Sequence, residues 1–236
     1  MIPHPGEGGL SGSPTVSGVV VLTDRRLARR PLVDVVAAAV AGGVRWVVLR
    51  EKDLPRAERS ALAAELRPIL TGAAGTLIVA GPDPLLDTEA ERRGRGTGGD
   101  GRLALHLSAT DAGPPPGADL VGRSCHDETE LRRLRTEDYA FLSPVYPTST
   151  KPGYGPPLGT AGLAALIRLS PVPVLALGGI ETPAQVRACV RAGAVGVAVL
   201  GAVMRSPDPR QTAAELTSAF AAAIGQPRGL TIEEDR

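Results

Sequence analysis

Aromatic side chains are scarce in this chain, making up 3% of 236 residues: one Trp, three Tyr and two Phe. That scarcity removes the stacking platforms on which single-stranded nucleic acid is usually held. Net charge is +1 and no long basic run occurs, so an electrostatic footprint for nucleic acid or an anionic membrane is missing as well. Apolar stretches are broken by Gly, Arg or Pro well before they reach the length of a bilayer span. The two cysteines, Cys125 and Cys189, make no disulfide framework, and a cytoplasmic setting is the expectation. Lysine is the rarest charged residue. Of 26 basic residues only Lys52 and Lys151 are not arginine. A bias toward arginine accounts for the surface, and the two exceptions mark places where a compact, strongly hydrated ammonium is wanted instead of a planar fork.

What the chain does have is apolar content, 43% hydrophobic, arranged as short Val/Leu/Ala-rich runs alternating with longer amphipathic stretches. That alternation is the pattern of repeated βα units around a parallel sheet. Strands are expected at residues 19–23, 44–49, 76–80, 104–107, 120–123, 139–142, 174–177 and 195–199. Helices are expected at 31–41, 55–70, 84–93, 128–135, 160–168, 183–192 and 209–224, while the Pro-rich stretch 111–118 is too broken for a full helix. Eight strands and about seven helices close as a single (β/α)8 TIM barrel. An open doubly wound sheet is the competitor, but Thr23-Asp24-Arg25-Arg26 stands where a GxGxxG turn would follow the first strand. The barrel is expected over residues 18–224. A Gly/Pro/Ser-rich flexible tail without an apolar signal-peptide core precedes it at 1–17, and a charged tail follows at 225–236.

In such barrels the active site is built at the C-terminal ends of the strands. There the chain places Asp24, Arg50-Glu51-Lys52, Gly81, His106, Asp111, Ser124-Cys125-His126, Thr148, Thr150 and Lys151. Both lysines therefore fall at the barrel mouth. Arg50, Lys52, Lys151, Ser124, Thr148 and Thr150 form a candidate anion cage, since phosphate oxygens take charge-assisted hydrogen bonds from such groups. The bland reading is a set of surface ion pairs of little worth. Gly178-Gly179 after the seventh strand and Leu200-Gly201 after the eighth let backbone amides approach a phosphate, or simply turn the chain. His106 and His126 are candidates for acid–base work near neutrality, or for hydrogen-bonded structural roles. Cys125 reads as a packing cysteine.

Those same segments carry a resemblance. Leu49-Arg50-Glu51-Lys52, Gly122-Arg123-Ser124-Cys125-His126, Pro144-Val145-Tyr146-Pro147-Thr148-Ser149-Thr150-Lys151, Leu177-Gly178-Gly179-Ile180 and Ala192-Gly193-Ala194-Val195-Gly196-Val197 resemble the thiamine phosphate synthase/TenI family over roughly residues 19–224. The resemblance implies a transferase that joins hydroxymethylpyrimidine pyrophosphate to a thiazole phosphate, with small phosphorylated substrates and a homodimer. It assigns Lys151, Arg50, Lys52 and Ser124, with Thr148 and Thr150, to the pyrophosphate side. Gly179, Leu200 and Gly201 fall to the thiazole phosphate, His106 and His126 to substrate contacts, and Asp111 to Mg²⁺. The chain departs from the synthases at Val48, where they carry Gln, at Ala80-Gly81, where they carry Asn-Asp, and at Ala109, where they carry Gln. It departs from the sister thiazole tautomerases at Pro144, where they carry His. Tautomerase chemistry and non-catalytic binding of thiazole phosphate or thiamine phosphate are the alternatives.

Overall fold

A computed structural model describes residues 15–85, 103–148 and 156–225. Eight parallel strands close in sequence order, each hydrogen-bonded to its chain neighbours and β8 back to β1. They are β1 Gly18–Leu22, β2 Trp46–Leu49, β3 Thr76–Ala80, β4 Ala104–Leu107, β5 Leu120–Cys125, β6 Tyr139–Leu142, β7 Val174–Leu177 and β8 Gly196–Val199. Around them, among the described residues, lie α1 Leu32–Ala41, α2 Arg56–Thr71, α3 Glu128–Arg132, α4 Gly159–Ile167, α5 Pro183–Arg191, α6 Gly201–Met204 and α7 Pro209–Ile224. The expected (β/α)8 barrel is the observed one.

Local chemistry explains where the helices begin. Proline opens or immediately precedes α1, α2, α5 and α7 as Pro31, Pro55, Pro183 and Pro209, where its fixed φ suits the first turn and its missing N–H costs nothing. Thr182 and Gln185 form a capping box on α5, and the Asp208 carboxylate accepts the Gln211 N–H on α7. Each satisfies amides that the first helical turn leaves without partners.

Along each strand, side chains alternate between two apolar layers. Val20, Leu22, Val48, Ile78, Ala80, Ala104, Leu120, Tyr139, Phe141, Leu175 and Ala198 fill the barrel. Val19, Val21, Leu49, Leu105, Cys125 and Val197 pack outward against the helices. The interior is filled by two large rings, Tyr139 and Phe141, both fully buried. The Tyr139 ring lies over Gly122, its partner in register on β5; a Cβ there would come within 2.1 Å of the ring. Val16 is also buried in the inner cluster, so the end of the stretch expected as a tail packs into the barrel.

Several boundaries moved. β5 runs two residues beyond its expected end because Ser124 and Cys125 stay paired with Phe141 and Leu142. α3 stops at Arg132, three residues early, and the chain turns so that Glu137 accepts the Arg135 and Thr136 amides and meets Arg123 at 2.6 Å. As expected, no helix joins β4 to β5. Instead the Arg123 guanidinium, pointing outward from β5, donates to the carbonyls of Ser108 and Asp111 at 2.9 and 2.8 Å. One side chain thus does part of what a helix would do for that loop. The short α6 was not anticipated. The helix expected at 84–93 lies outside the described residues except for 84–85, which are not helical. Residues 1–14 and 226–236, within the two expected tails, also lie outside them.

The close approach of Tyr139 to Gly122 has a measurable consequence. Gly122→Ala should destabilise the fold by at least about 3 kcal/mol in urea unfolding, at or above the usual cost of overpacking. In a Tyr139→Leu background the same substitution should cost at least about 1 kcal/mol less, the coupling expected of residues in contact.

Candidate active site

At the C-terminal ends of the strands the chain encloses a cavity of about 250 Å³, lined by residues from all eight strands or the loops that follow them. It has a cationic side, a polar floor and a glycine-rich wall.

The cationic side comes from the ends of β1 and β2. The Arg50 amide donates to Thr23 Oγ1 at 3.0 Å, tying the two strand ends together. Between Arg50 and Lys52 the buried Glu51 turns away from the cavity and accepts from the Arg25 amide and guanidinium at 3.0 and 3.1 Å. Arg25 also pairs with Asp53 at 2.9 Å. The hydrogen bonds it donates to Asp53 first, and then to Glu51, hold the guanidinium above its ordinary pKa. Arg26, in the cavity wall, is paired with the buried Asp24 at 3.2 Å. Among the described residues, Arg50 and Lys52 have no carboxylate within ion-pair distance. Their charge is left to the cavity.

His106 forms the polar floor. Strand alternation points it inward, where it stacks on Phe141 with ring centroids 4.1 Å apart. Its Nδ1 lies 3.2 Å from the Tyr139 hydroxyl and its Nε2 2.9 Å from Ser124 Oγ. Burial first, then the charges of Lys52 and Arg123, push its pKa down to about 3. His106 is therefore neutral near pH 7, with one donor and one acceptor nitrogen. Cys125, on the opposite face of β5, is buried and its thiol is pushed up to about 12 by burial. It is no nucleophile. His126 Nδ1 sits 2.8 Å from Glu130, whose carboxylate also accepts the His126 amide.

Asp111 stands behind the lining: its carboxylate accepts the Ser108 amide at 2.7 Å. Burial pushes its pKa up, but the Ser108 hydrogen bonds and the charges of Lys52 and Arg123 prevail and hold it below the usual carboxylate range. It is ionised. Gly81, where the resemblance places a second carboxylate, has φ +103°, a conformation that strains any other residue. Asp83 is committed elsewhere, to Arg56 at 2.8 Å and the Leu85 amide at 2.9 Å.

The glycine wall follows β7 and β8. Gly178 and Gly179 take φ of +101° and +66°, and a Cβ on Gly179 would come within 2.3 Å of the Pro147 carbonyl. These glycines thus admit the loop after β6 as well as exposing backbone. Gln185 donates to the Gly179 carbonyl at 3.1 Å and steadies the turn. Above Gly201 lies the guanidinium of Arg205, one helical turn on, paired with Glu181 at 2.6 Å.

Arg50, Lys52, Ser124, Thr148, Gly179, Leu200, Gly201, His106 and His126 all line this one cavity. Thr150 and Lys151 lie outside the described residues. Sequence reasoning missed Arg26, Glu181 and Arg205 as lining residues. The spacing from Gly201 to Arg205 was a usable signal, but only once residues 201–204 were known to be a helix.

The chain is similar to known proteins over most of its length. A family model described as thiamine monophosphate synthase matches residues 19–203. The thiamine-phosphate synthase of Roseiflexus sp. (strain RS-1) is 34% identical over 229 residues, covering 95% of this chain and 91% of that protein. That of Roseiflexus castenholzii is 36% identical over 200 residues, covering 83% and 85%. The solved structure of a thiamine phosphate pyrophosphorylase from Pyrococcus furiosus superposes with a TM-score of 0.70 at 25% identity, covering 88% of this chain and 97% of that one.

The buried imidazole makes a pH prediction. In the unfolded chain it takes its proton near pH 6.5, and in the fold near 3. Between those values the unfolded state binds the extra proton, so His106 subtracts stability as pH falls from 6.5 toward 3, by up to about 1.4 kcal/mol per pH unit. His106→Asn lacks this group. Urea unfolding at pH 7 and pH 5 should therefore show the wild type losing more stability than the variant on acidification. Equal losses would mean that folded His106 carries a proton.

Proposed function

The chain belongs to the thiamine monophosphate synthase family, and on that footing we propose that it joins hydroxymethylpyrimidine pyrophosphate to a thiazole phosphate to give thiamine phosphate. The observation that carries this reading is the pair of cations, Arg50 and Lys52, facing the cavity without carboxylate partners among the described residues. The reaction breaks the C–O bond between the pyrimidine methylene and pyrophosphate. The electron pair leaves with the pyrophosphate oxygen, and the thiazole nitrogen lone pair then forms the C–N bond. Fixed positive charge where the leaving group develops its charge is worth most when it is already in place.

Arg50, Lys52 and Thr148 hold the pyrophosphate, and Thr150 and Lys151 complete the cage. Ser124 joins them through its hydroxyl. If the Tyr139 hydroxyl donates to His106 Nδ1, Nε2–H donates to Ser124 Oγ, and the serine proton is left for a phosphate oxygen. A neutral imidazole serves this purpose; burial beside Lys52 disfavours a charged one. His126, oriented by Glu130, contacts substrate. On the opposite wall, backbone amides of Gly179, Leu200 and Gly201 approach the thiazole phosphate, holding its ring nitrogen in line.

Mg²⁺ fits the donor set in a limited way. Asp111 is one ionised carboxylate beside the cationic side, and Mg²⁺ with substrate phosphate needs as few as one, the rest of its shell being water and phosphate oxygen. Asp111 would hold it, and a bound Mg²⁺ would neutralise charge on the pyrophosphate. Because of the positive φ at Gly81, replacing that residue with Asp does not test the metal cleanly.

Tautomerase chemistry loses two of the three side chains that the sequence offers for it, and His126 is left. A proton shuttle on the thiazole needs a group that titrates near neutrality. His106 and Cys125 are pushed to about 3 and about 12, and Pro144 stands at the tautomerase histidine. A cytoplasmic setting suits Cys125 and Cys189, both buried and free. A homodimer is the assembly that the resemblance implies.

Two outcomes test the reading. Lys52→Ala and Lys151→Ala should each weaken binding of a pyrophosphate-bearing ligand by about 10- to 100-fold, the scale of charged hydrogen bonds. Lys151→Ala should also lower coupling turnover far more than His106→Asn or His126→Asn does. If a histidine substitution abolishes activity on the thiazole carboxylate phosphate while Lys151→Ala leaves it intact, the tautomerase reading holds instead. For the metal, Asp111→Asn should raise the Mg²⁺ concentration giving half-maximal coupling rate, and an unchanged requirement would remove Asp111 from that role.

A further inference from the structure

Arg205 and Glu181 are one of two ion pairs in the cavity wall that the proposed chemistry leaves unused, the other being Arg26 with Asp24. Glu181 follows the Gly178-Gly179 turn, and its amide is held by the Gln185 side chain at 2.9 Å. Arg205 closes α6, its own amide donating to the Gly201 carbonyl at 3.1 Å. Both side chains are partly exposed and both line the cavity. Their ion pair at 2.6 Å bridges the loops after β7 and β8.

The position of the guanidinium depends on Gly201. A Cβ on that residue would lie 2.4 Å from both terminal nitrogens of Arg205 and 2.5 Å from their carbon. The guanidinium therefore occupies the volume that any side chain at 201 would need. Gly201 is not among the residues with positive φ, so what glycine supplies here is room for the arginine. An arginine laid over a chain turn presents several N–H donors in one plane and matches the oxygens of a phosphate monoester.

We propose that Arg205 is a specificity-determining residue: its guanidinium selects a phosphorylated thiazole over the neutral thiazole alcohol. Glu181 is the competing anion that holds the guanidinium over Gly201. A phosphate dianion displaces Glu181 from one edge of the fork, and a neutral hydroxyl gives no return for breaking the ion pair. The identity of the thiazole rests on the coupling reaction proposed above, but the selection of a phosphate does not.

The test is isothermal titration of wild type, Arg205→Ala, Glu181→Gln and Gly201→Ser with thiazole phosphate, the corresponding thiazole alcohol and inorganic phosphate. Arg205→Ala should weaken thiazole phosphate about 10- to 100-fold and leave the alcohol within about twofold, so that the preference for the phosphorylated form collapses. Glu181→Gln should tighten thiazole phosphate. Gly201→Ser, which displaces the guanidinium, should weaken thiazole phosphate, and adding it to Arg205→Ala should cost little more. A merely structural Arg205 would lose both thiazoles together, and that result overturns the inference, as does a preference unchanged in Arg205→Ala. If wild type binds thiazole phosphate no better than inorganic phosphate, the coupling reading fails. In that case an inorganic phosphate affinity that falls in Arg205→Ala still supports the role of Arg205, and one that does not fall overturns it.

Discussion

A closed barrel of eight short strands must fill its own interior, and here two rings and a histidine do much of that filling. Tyr139 lies over Gly122 because no side chain stands there, Phe141 stacks on His106, and the histidine bridges the Tyr139 and Ser124 hydroxyls. This packed layer is the floor of the cavity. It fixes where Ser124 sits, keeps the imidazole neutral, and separates the polar mouth from the aliphatic layer of Val20, Ile78 and Leu120 below. A larger residue at 122 would lift the ring and with it the floor, so the catalytic face and the stability of the fold share one contact.

Above that floor the charges fall into two groups. Arg25, Arg26, Arg123 and Arg205 each meet a carboxylate; the Arg26 pair lies within the loop after β1, and the other three tie β1 to β2, β5 to the loop before β6, and β7 to β8. Arg50 and Lys52 lack such partners among the described residues and face the cavity. The paired cations build the mouth, and the unpaired ones leave it electropositive. Among the described residues, no ion pair has to be broken for an anion to approach Arg50 and Lys52. On the proposed reading, that suits the β2 side to the more highly charged pyrophosphate. On the β7–β8 side the Arg205 guanidinium is already paired with Glu181, so an anion approaching it meets a competing carboxylate.

The stretch between β4 and β5 shows how a missing element is replaced. Proline prevents a helix there, and the Arg123 guanidinium, sent outward by strand alternation, gathers the carbonyls of Ser108 and Asp111 while Glu137 balances its charge. Asp111 is thereby held beside the Lys52 field, which helps to keep it ionised. Arg123, which is not among the residues lining the cavity, thus helps to position Asp111.

The sequence by itself determined the barrel, its order of elements and most of the cavity wall. Alternation and helical periodicity are local, and the rule that parallel barrels work at their strand ends turned a strand map into a residue list. Arg50, Lys52, Ser124, Thr148, His106, His126, Gly179, Leu200 and Gly201 were legible for that reason. The same rule named Thr150 and Lys151, which fall outside the described residues. Tertiary structure decided what periodicity does not encode. The length of β5 depended on pairing with β6, and the neutral state of His106 on burial beside Lys52. That Asp83 serves Arg56, and not the cavity, depended on α2 approaching the loop after β3. Arg205 became part of the wall only because four residues after β8 coil into a helix and Gly201 leaves space for a guanidinium. These are facts of distance between segments far apart in the chain or of a turn too short to show a period, and they exist only once the barrel has closed.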